Sequence, residues 1–549
     1  MNLNFSIPIR KIKAAIEVLE KLHYQNLVLY ISWLLAIIAT NYYFYHDLIV
    51  TYGDAESHLN IAKRVVHSLT PGMAQLGGIW LPIPHILMIP FVYFDPLWRT
   101  GLAGSIVSGA AFIISSIFLY KLVFLLSKNK FASFLSFLVF ALNPNILYLQ
   151  ATPMTELPLL AFFILSSYFF IKYIINESDI GSLLLSAFFG FCAVLTRYDG
   201  WFLVIFEALS LVLLYFQHVK FGFRHDVVGS GQVKRGIIFR ESFSKTEGKT
   251  LLFATLAFFG VALWMIWDLL ILGDPFYFTN SQFSARMQQQ EWLRRGELPA
   301  YHNLPLAFAY YLVTSMSNAG VIIFLVAIAG LISYLGYKKD VHRFYIAFIL
   351  LVPFIFNVFT MFVGQSVIFI PHLTPVNFEW RLFNVRYGVL MIPVIALFFG
   401  YVFHKTKSIG AKVLLISLFI MQFGLYFVGY SKIISLADGT EGLSKAKIPD
   451  AETWISKNYD TGLVLIDDYA RTLSIIRSGI PMQNIIYIGN KPYWEVSLVA
   501  PERYASWIIM QKDDDVWKAI YDKPDVQGRL FKYFKKVYTS PQILIFRKI

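Results

Sequence analysis

Long hydrophobic runs that lack charge are the feature of this sequence that most restricts its fold. Residues 28–45 and 251–271 are two of them, and about twenty such residues cross a hydrocarbon core of roughly 30 Å. Hydrophobic residues make up 57% of the chain and charged residues 15%, whereas soluble domains average roughly 45–50% and about 25%. The sequence therefore predicts an α-helical polytopic membrane protein.

The hydrophobic runs predict about eleven transmembrane helices. These are residues 28–45, 100–120, 131–149, 157–174, 180–196, 200–217, 250–272, 317–336, 343–362, 387–403 and 411–430. Residues 79–94 are short and contain Pro82, Pro84 and Pro90, so we interpret them as a broken segment at the membrane surface.

The distribution of lysine and arginine predicts the orientation. If the N-terminus lies inside, the inner loops hold 21 cations and the outer loops up to residue 431 hold nine. The nine are Lys63, Arg64, Arg99, Arg197, Arg286, Arg294, Arg295, Arg381 and Arg386. Because cytoplasmic loops carry the excess of cations, the N-terminus is predicted to be cytoplasmic. This placement also explains the net charge of +13 without a nucleic-acid partner.

Three regions follow from composition and patterning. Residues 1–27 form a cytoplasmic segment with an amphipathic helical pattern at 11–22. Residues 28–431 form the transmembrane domain, with a large first outer loop at 46–99. Residues 432–549 have an ordinary composition and form a small α/β domain, which an odd number of spans places outside the cytoplasm. Its predicted strands are residues 462–466, 484–488, 507–510 and 542–546. Cys192 is the only cysteine, so an intramolecular disulfide is excluded.

Acidic residues gather on the predicted outer face. Asp54 and Glu56 follow the first span, Glu156 lies at the mouth of the fourth, and Asp199 lies beside Arg197 in the third outer turn. Because acids close to a membrane are energetically costly, they are candidates for function. Their grouping suits a reaction at the boundary between lipid and water.

Several short motifs follow one another along the chain in an order that one enzyme superfamily shares. They are Asp54 and Glu56 before a helical stretch at 59–69, a Gly-Gly and proline-rich segment at 77–90, Glu156, Gly-Asp-Pro at 273–275, and Arg386-Tyr387 before a late span. Together they resemble the C-type (GT-C) glycosyltransferases, such as protein O-mannosyltransferases and lipid A aminoarabinose transferases. Two features differ from those families: the acids read Asp-Ala-Glu instead of adjacent Asp-Glu, and the Trp-Trp-Asp signature of oligosaccharyltransferases is absent.

The resemblance implies that a hexosyl or pentosyl group moves from a dolichyl or undecaprenyl phosphate to a hydroxyl of a glycan, lipid or protein. Asp54 is then the candidate base that takes the hydroxyl proton, with Glu56 and Glu156 as further catalytic carboxylates. The arginines predicted to hold the phosphate are Arg197, Arg386 and Arg381, joined by His85, while Asp199 and Trp80 complete the substrate site. A single displacement with one base predicts inversion. No cofactor is predicted with certainty; a divalent metal ion, if the reaction needs one, would use Asp54, Glu56 and Glu156.

Each of these residues also has a structural interpretation. Asp54 and Glu56 can cap a helix, Glu156 can be a first-turn acid, Arg197 can pair with Asp199, and Arg386 can extend to lipid head groups. A secondary transporter or lipid-linked sugar flippase is the alternative function, because such proteins use intramembrane acids. The absence of an internal repeat and the position of the acids on one face favour the transferase.

Overall fold

The computed structural model describes residues 23–226, 235–337, 342–446, 449–469 and 473–549. The amphipathic pattern predicted at residues 11–22 lies outside these residues. The helices are Tyr24–Tyr45, Gly53–Val66, Ile83–Val92, Asp95–Thr100, Leu102–Ser127, Lys130–Ala141, Pro144–Leu149, Glu156–Ile175, Ile180–Val194, Asp199–Asp226, Arg235–Leu272, Tyr277–Asn280, Ala285–Gln288, Gln290–Arg294, Leu304–Ala319, Val321–Gly336, Arg343–Leu350, Val352–Phe362, Ile392–Lys405, Ile409–Phe427, Ile434–Ala446, Pro449–Asn458, Ile475–Ser478, Tyr493–Val499 and Pro524–Tyr533. Tighter 3₁₀ turns are Met73–Leu76, Val385–Met391, Met482–Asn484 and Pro501–Arg503.

The protein is an integral, multi-pass membrane protein. Within the described residues, six helices are long and apolar enough to cross a membrane, and up to eight if each of two bent pairs counts as one span. The first pair, Leu304–Ala319 and Val321–Gly336, bends by 115° at Gly320, and the second bends by 52°. Eleven spans therefore remain a prediction. The proline-rich segment forms only the ten-residue helix Ile83–Val92, which is too short to cross a bilayer.

Small residues and helix caps organise the membrane helices. A Cβ atom at Gly330 would lie 2.2 Å from the Phe398 carbonyl oxygen, so glycine allows Val321–Gly336 to approach Ile392–Lys405 closely. Glu207, fully buried, accepts hydrogen bonds of 2.9 and 3.0 Å from the Ser166 hydroxyl on a neighbouring helix. The side chain of Asn129 caps Lys130–Ala141 by accepting from the Ala132 amide.

The chain divides into two compact units. Among the described residues the first comprises 23–39, 109–150 and 155–436, and the second comprises 40–108, 151–154 and 437–549. The sequence predicts that the outer loop at 46–99 belongs to the transmembrane domain and that residues 432–549 form a separate domain. In the structure, the loop belongs to the same compact unit as the C-terminal residues.

The second unit contains a five-stranded sheet of order β2-β1-β3-β5-β4. Its strands are β1 Val464–Ile466, β2 Ile485–Ile486, β3 Trp507–Gln511, β4 Phe534–Thr539 and β5 Ile543–Lys548. The first three are parallel, and β5 pairs antiparallel with both β3 and β4. Strands lie at all four predicted positions. The edge strand β4 was missed because its sequence, Phe-Lys-Lys-Val-Tyr-Thr, exposes both lysines and has no apolar alternation.

One hydrophobic core joins the first outer loop to the C-terminal residues. Leu59, Ala62 and Trp98 come from the loop, and they cluster with Ile455 and Ile466 from beyond residue 437. This shared core explains why the loop and the C-terminal residues form one unit, although nearly 400 residues separate them along the chain.

Candidate active site

Glu156 lies at the centre of a charged cluster in the first unit. It is the first residue of helix Glu156–Ile175 and is fully buried. Its Oε1 accepts a hydrogen bond of 3.2 Å from Arg197 Nη1 and another of 3.2 Å from Arg386 Nε. One carboxylate oxygen therefore joins two arginines that lie far apart in the sequence.

Arg197 lies in the short turn before helix Asp199–Asp226. It also donates from Nε to Asp199 Oδ2 at 3.1 Å and from Nη1 to Thr155 Oγ1 at 3.1 Å. Its side chain remains 18% exposed. Burial opposes the charge of Arg197, but the carboxylates of Asp199 and Glu156 outweigh that cost and raise the pKa of the guanidinium above its ordinary value.

Arg386 is held by the backbone conformation that precedes the last long apolar helices. Asn384 adopts a positive φ of 56°, and its Oδ1 accepts a hydrogen bond of 2.9 Å from Arg386 Nη1. The Asn318 amide donates to the Val385 carbonyl at 2.8 Å. The Tyr311 hydroxyl donates to the Tyr387 carbonyl at 3.0 Å. These bonds fix the turn, so the guanidinium of Arg386 is aimed at Glu156.

We call Arg197, Arg386, Glu156 and Asp199 the arginine cluster. The Tyr387 ring lies beside both guanidinium groups, with its centroid 5.1 Å from Arg197 Cζ and 5.0 Å from Arg386 Cζ, within range of cation–π attraction. Two carboxylates balance two guanidiniums. Within the described part of the chain, Glu156 Oε2 and Asp199 Oδ1 are buried and have no hydrogen-bond partner.

Two long segments, residues 273–303 and 363–384, pack together, and the second of them directly precedes Arg386 in the chain. Leu298 from the first segment contacts Val367 and Phe369 from the second, and Phe369 pairs with Phe383 through backbone hydrogen bonds. Arg295 Nη2 lies 2.5 Å from Glu379 Oε2 and links the same segments. Arg381, a predicted phosphate ligand, is exposed in the second of these segments.

In the second unit, Asp54 and Glu56 lie in the first turn of helix Gly53–Val66, which we call the loop-1 helix. Asp54 is partly exposed. Glu56 is buried, and its Oε2 accepts from the Ser474 hydroxyl at 2.7 Å. Its Oε1 accepts from the Ile475 amide at 2.7 Å. Glu56 thus caps the short helix Ile475–Ser478, a partner that the sequence analysis did not predict.

Lys63 and Arg64, counted from the sequence as outer cations, are buried on the loop-1 helix. Lys63 Nζ lies 2.6 Å from Asp95 Oδ1 and donates to the Val92 carbonyl at 2.9 Å. Arg64 pairs with Asp468 and stacks over the Tyr487 ring, 3.8 Å from its centroid. Both cations are thereby used in holding the second unit together.

Two predicted substrate residues, His85 and Trp80, lie next to His58 in the second unit. His85 is fully buried, and its Nε2 lies 2.9 Å from His58 Nδ1. The Trp80 ring packs on the His58 ring with centroids 4.7 Å apart. His58 was not among the predicted site residues, although its position four residues after Asp54 was a visible signal.

Across residues 23–226, 235–337, 342–446, 449–469 and 473–549, no group of three His, Cys, Asp or Glu side chains is arranged to hold a metal ion. The metal ligands proposed from the sequence remain a prediction.

No protein-family model and no curated protein matches the sequence, but solved structures share its fold. ArnT from Cupriavidus metallidurans bound to undecaprenyl phosphate has a TM-score of 0.51 and 11% identity, and the alignment covers 94% of this chain and 98% of ArnT. Apo ArnT gives 0.49, 11%, 94% and 97%. AglB, the oligosaccharyltransferase of Archaeoglobus fulgidus, in complex with an inhibitory peptide and a dolichol-phosphate, gives 0.46, 12%, 94% and 73%.

The structure therefore shares the fold of ArnT. The first of these similarities, that with ArnT, carries the assignment. It confirms the resemblance that the sequence motifs indicated, at the level of the fold.

Proposed function

We propose that this protein is an inverting membrane glycosyltransferase, which moves a sugar from a polyprenyl phosphate to a hydroxyl acceptor on the extracytoplasmic face. The observation that carries the proposal is the pair of arginines, Arg197 and Arg386, held by the buried carboxylate of Glu156 in a GT-C fold. ArnT, which has the same fold, is described as bound to undecaprenyl phosphate. A dolichyl or undecaprenyl carrier is the corresponding donor here.

In this proposal Arg197 and Arg386 bind the carrier phosphate. A phosphate leaving group gains negative charge as the bond to the sugar breaks, and fixed guanidiniums stabilise that charge where water is scarce. Arginine suits this role because its planar fork can donate to two oxygens. Glu156 and Asp199 keep the guanidiniums in place before the donor binds, so little reorganisation is needed during the reaction.

Asp54 is the proposed general base. A sugar or serine hydroxyl is a poor nucleophile at neutral pH, and a positioned carboxylate that removes its proton contributes roughly 10²–10⁴-fold. The contacts of Glu56 support a structural role for that residue, because both of its oxygens cap a helix. They leave Asp54 as the partly exposed acid of the pair.

The test is the variant Asp54→Asn. The amide keeps the shape of the side chain but cannot accept the proton, so transfer should fall by at least about 10²-fold while donor binding is unchanged. Turnover is measured with a saturating hydroxyl acceptor, and donor affinity with a polyprenyl phosphate sugar. Ser57→Ala, on the same helix and also partly exposed, is the matched control.

Two results would contradict parts of the proposal. Near-normal turnover in Asp54→Asn removes Asp54 as the base but leaves the transferase assignment standing. The flippase would be favoured instead if the wild-type protein binds the donor and moves it across the membrane of lipid vesicles but transfers no sugar to any hydroxyl.

A further inference from the structure

We propose that Asn318 is a positioning residue for the donor: its side-chain amide holds the turn that carries Arg386, so that the guanidinium is in place before the carrier phosphate binds. This inference rests on the proposed function, with Arg386 as a phosphate ligand. Asn318 acts through Arg386 and does not itself touch the donor. It lies near the end of helix Leu304–Ala319, two residues before the bend at Gly320.

Four buried polar side chains share one face of helix Leu304–Ala319. They are Tyr311, Thr314, Ser315 and Asn318, and each is fully buried. The spacing of three, four and seven residues from Tyr311 places all four on the same side of a helix. Burying polar groups costs free energy unless they find hydrogen-bond partners. The turn Val385–Met391 packs on this helix and supplies such partners.

Two members of this polar face hold the turn on both sides of Arg386. Asn318 Nδ2 donates to the Val385 carbonyl at 2.8 Å, and the Tyr311 hydroxyl donates to the Tyr387 carbonyl at 3.0 Å. Val385 and Tyr387 are the immediate neighbours of Arg386 in the chain. The backbone of Arg386 is therefore fixed from the residue before it and from the residue after it.

Gly388 allows the turn to lie directly on the polar face. A Cβ atom at this position would lie 2.5 Å from Asn318 Nδ2 and 2.6 Å from the Thr314 carbonyl oxygen, which is closer than a carbon atom can approach. At the start of the turn, Asn384 has a positive φ of 56°, a conformation that persists where the surrounding contacts determine it. The shape of the turn thus depends on its contact with the helix.

The bend at Gly320 leaves the main-chain carbonyl of Asn318 free to anchor the residue. In a continuous helix this carbonyl would accept from the amide of Ile322, but that amide donates to Gln422 Oε1 at 3.1 Å. The Asn318 carbonyl instead accepts from Asn143 Nδ2 at 2.8 Å and from Asn145 Nδ2 at 3.0 Å. Asn318 is therefore held by its backbone while its side chain holds the turn.

A guanidinium that is fixed in advance binds phosphate with a smaller loss of conformational freedom. Without the Asn318 amide, the buried Val385 carbonyl loses its donor, and the turn must be ordered again when the donor binds. A role confined to supporting the bend makes a different prediction. Stability would then fall, but the effect on the donor would not depend on Arg386.

The experiment is a double-mutant cycle on donor affinity in the full-length protein. Asn318→Leu has nearly the same size but cannot donate a hydrogen bond, so we expect polyprenyl phosphate sugar to bind about 10-fold less tightly. In an Arg386→Ala background the same change should alter affinity by less than about two-fold, because the group through which Asn318 acts is gone. Donor concentrations are extended until the Arg386→Ala protein is saturated.

Tyr311→Phe is the milder variant, and it keeps the test decisive if Asn318→Leu does not fold. It removes one hydroxyl and its bond to the Tyr387 carbonyl, so affinity should fall about 2–10-fold with the same dependence on Arg386. Tyr426→Phe is the matched control. It removes the hydroxyl that donates to the Asn318 carbonyl at 3.3 Å but leaves the bond to Val385, so donor affinity should stay within about two-fold.

Two results would overturn the inference while the transferase stands. One is wild-type donor affinity in the folded Asn318→Leu and Tyr311→Phe proteins. The other is an equal loss of affinity with and without Arg386, which would assign the polar face to support of the bend alone. A wild-type protein that neither binds a polyprenyl phosphate sugar nor transfers its sugar would instead reject the proposed function itself.

Discussion

Glu156 Oε1 lies 3.2 Å from a nitrogen of Arg197 and 3.2 Å from a nitrogen of Arg386. Two guanidiniums held this close repel each other, and burial adds to the cost of their charges. The carboxylates of Glu156 and Asp199 offset both effects. The structural interpretation of Arg386, in which it extends towards lipid head groups, predicts an exposed side chain. Its side chain is only 7% exposed.

Alanine and lysine at the two arginines test the phosphate assignment. Removing one partner of a buried charge pair costs about 3–5 kcal/mol, so Arg197→Ala and Arg386→Ala should bind the polyprenyl phosphate sugar at least about 10²-fold less tightly. Lysine keeps the charge but loses the planar fork, and should recover only part of the loss. Donor titration of the four variants measures this, with melting temperatures to monitor folding.

Arg286→Ala is the matched control, because Arg286 is an exposed arginine of the same unit. Unchanged donor affinity in both alanine variants would reject the assignment. Arg381→Ala then shows whether the exposed arginine of the second long segment binds the donor instead.

The sequence predicted the members of the arginine cluster but not their contacts. Arg197 and Asp199 were recognisable because they are two residues apart, and Arg386 because it precedes a hydrophobic run. The bond from Arg386 to Glu156 spans 230 residues. No local pattern encodes such a pairing, which depends on the folded positions of two separate helices.

The loop-1 helix was partly predictable from the sequence. The motif order predicts a helical stretch at 59–69, and the structural interpretation of Asp54 and Glu56 predicts that they cap a helix; the helix is Gly53–Val66 and holds both acids in its first turn. Its partner was not predicted, because Glu56 caps a helix more than 400 residues away. Capping acids and catalytic acids look identical in a single sequence, and only the contacts of Glu56 separate the two roles.

Replacing Glu56 should therefore affect stability more than chemistry. Glu56→Gln removes the charge, and although its carbonyl oxygen can still accept from the Ile475 amide, its N–H₂ cannot accept from the Ser474 hydroxyl. We therefore expect a loss of about 1.5–3 kcal/mol, the range for hydrogen bonds to charged groups. Thermal melting in detergent measures it, and Ser474→Ala, which removes one of the same bonds and the hydroxyl that accepts from the Arg477 amide, should also lower the melting temperature. A fully stable Glu56→Gln protein with no turnover would point to catalysis instead.

Acid should weaken the contact between the loop-1 helix and the segment that follows Ile83–Val92. Burial tends to raise the pKa of Asp95, but Lys63 outweighs it and the pKa is lowered below its ordinary value. The stabilisation is therefore present above the unfolded pKa of about 3.8 and is lost as pH falls through the folded value. Asp95→Asn should lower the melting temperature at pH 7 and reduce its further fall towards pH 3.

Lys63→Met combined with Asp95→Asn is the control, because it replaces the buried ammonium with an apolar side chain of similar length and should recover stability relative to Asp95→Asn alone. An Asp95→Asn protein with the wild-type melting temperature at pH 7 would show that the Lys63 contact contributes little.

The orientation of the whole protein remains a prediction from cation counts, and the single native cysteine makes it testable. Because Cys192 is the only cysteine, a Cys192→Ser background has no thiol that a membrane-impermeant maleimide could label. A cysteine at Lys491, whose side chain is 76% exposed in the second unit, should react in intact cells. A cysteine at exposed Lys128 should react only after permeabilisation. The reverse pattern would invert the topology and place the second unit in the cytoplasm.

Multi-pass architecture, the α/β character of the C-terminal residues and the GT-C fold were all accessible from hydrophobic runs and motif order. The grouping of residues 40–108 with 437–549 was not, because it depends on a core assembled from distant residues such as Leu59 and Ile466. The bend of 115° at Gly320 was missed for a similar reason. A run of apolar residues looks the same whether its helix is straight or bent.

The shared core of the second unit also determines when that unit can fold during protein synthesis. Trp98 and Leu59 emerge from the ribosome early, but the side chains that cover them, such as Ile455 and Ile509, are made more than 350 residues later. At roughly 5–20 residues per second, the first loop must wait many seconds with apolar surface uncovered. This unit can therefore complete its core only late in synthesis, and a chain cut short before residue 451 leaves the loop that carries Asp54 without the C-terminal half of that core.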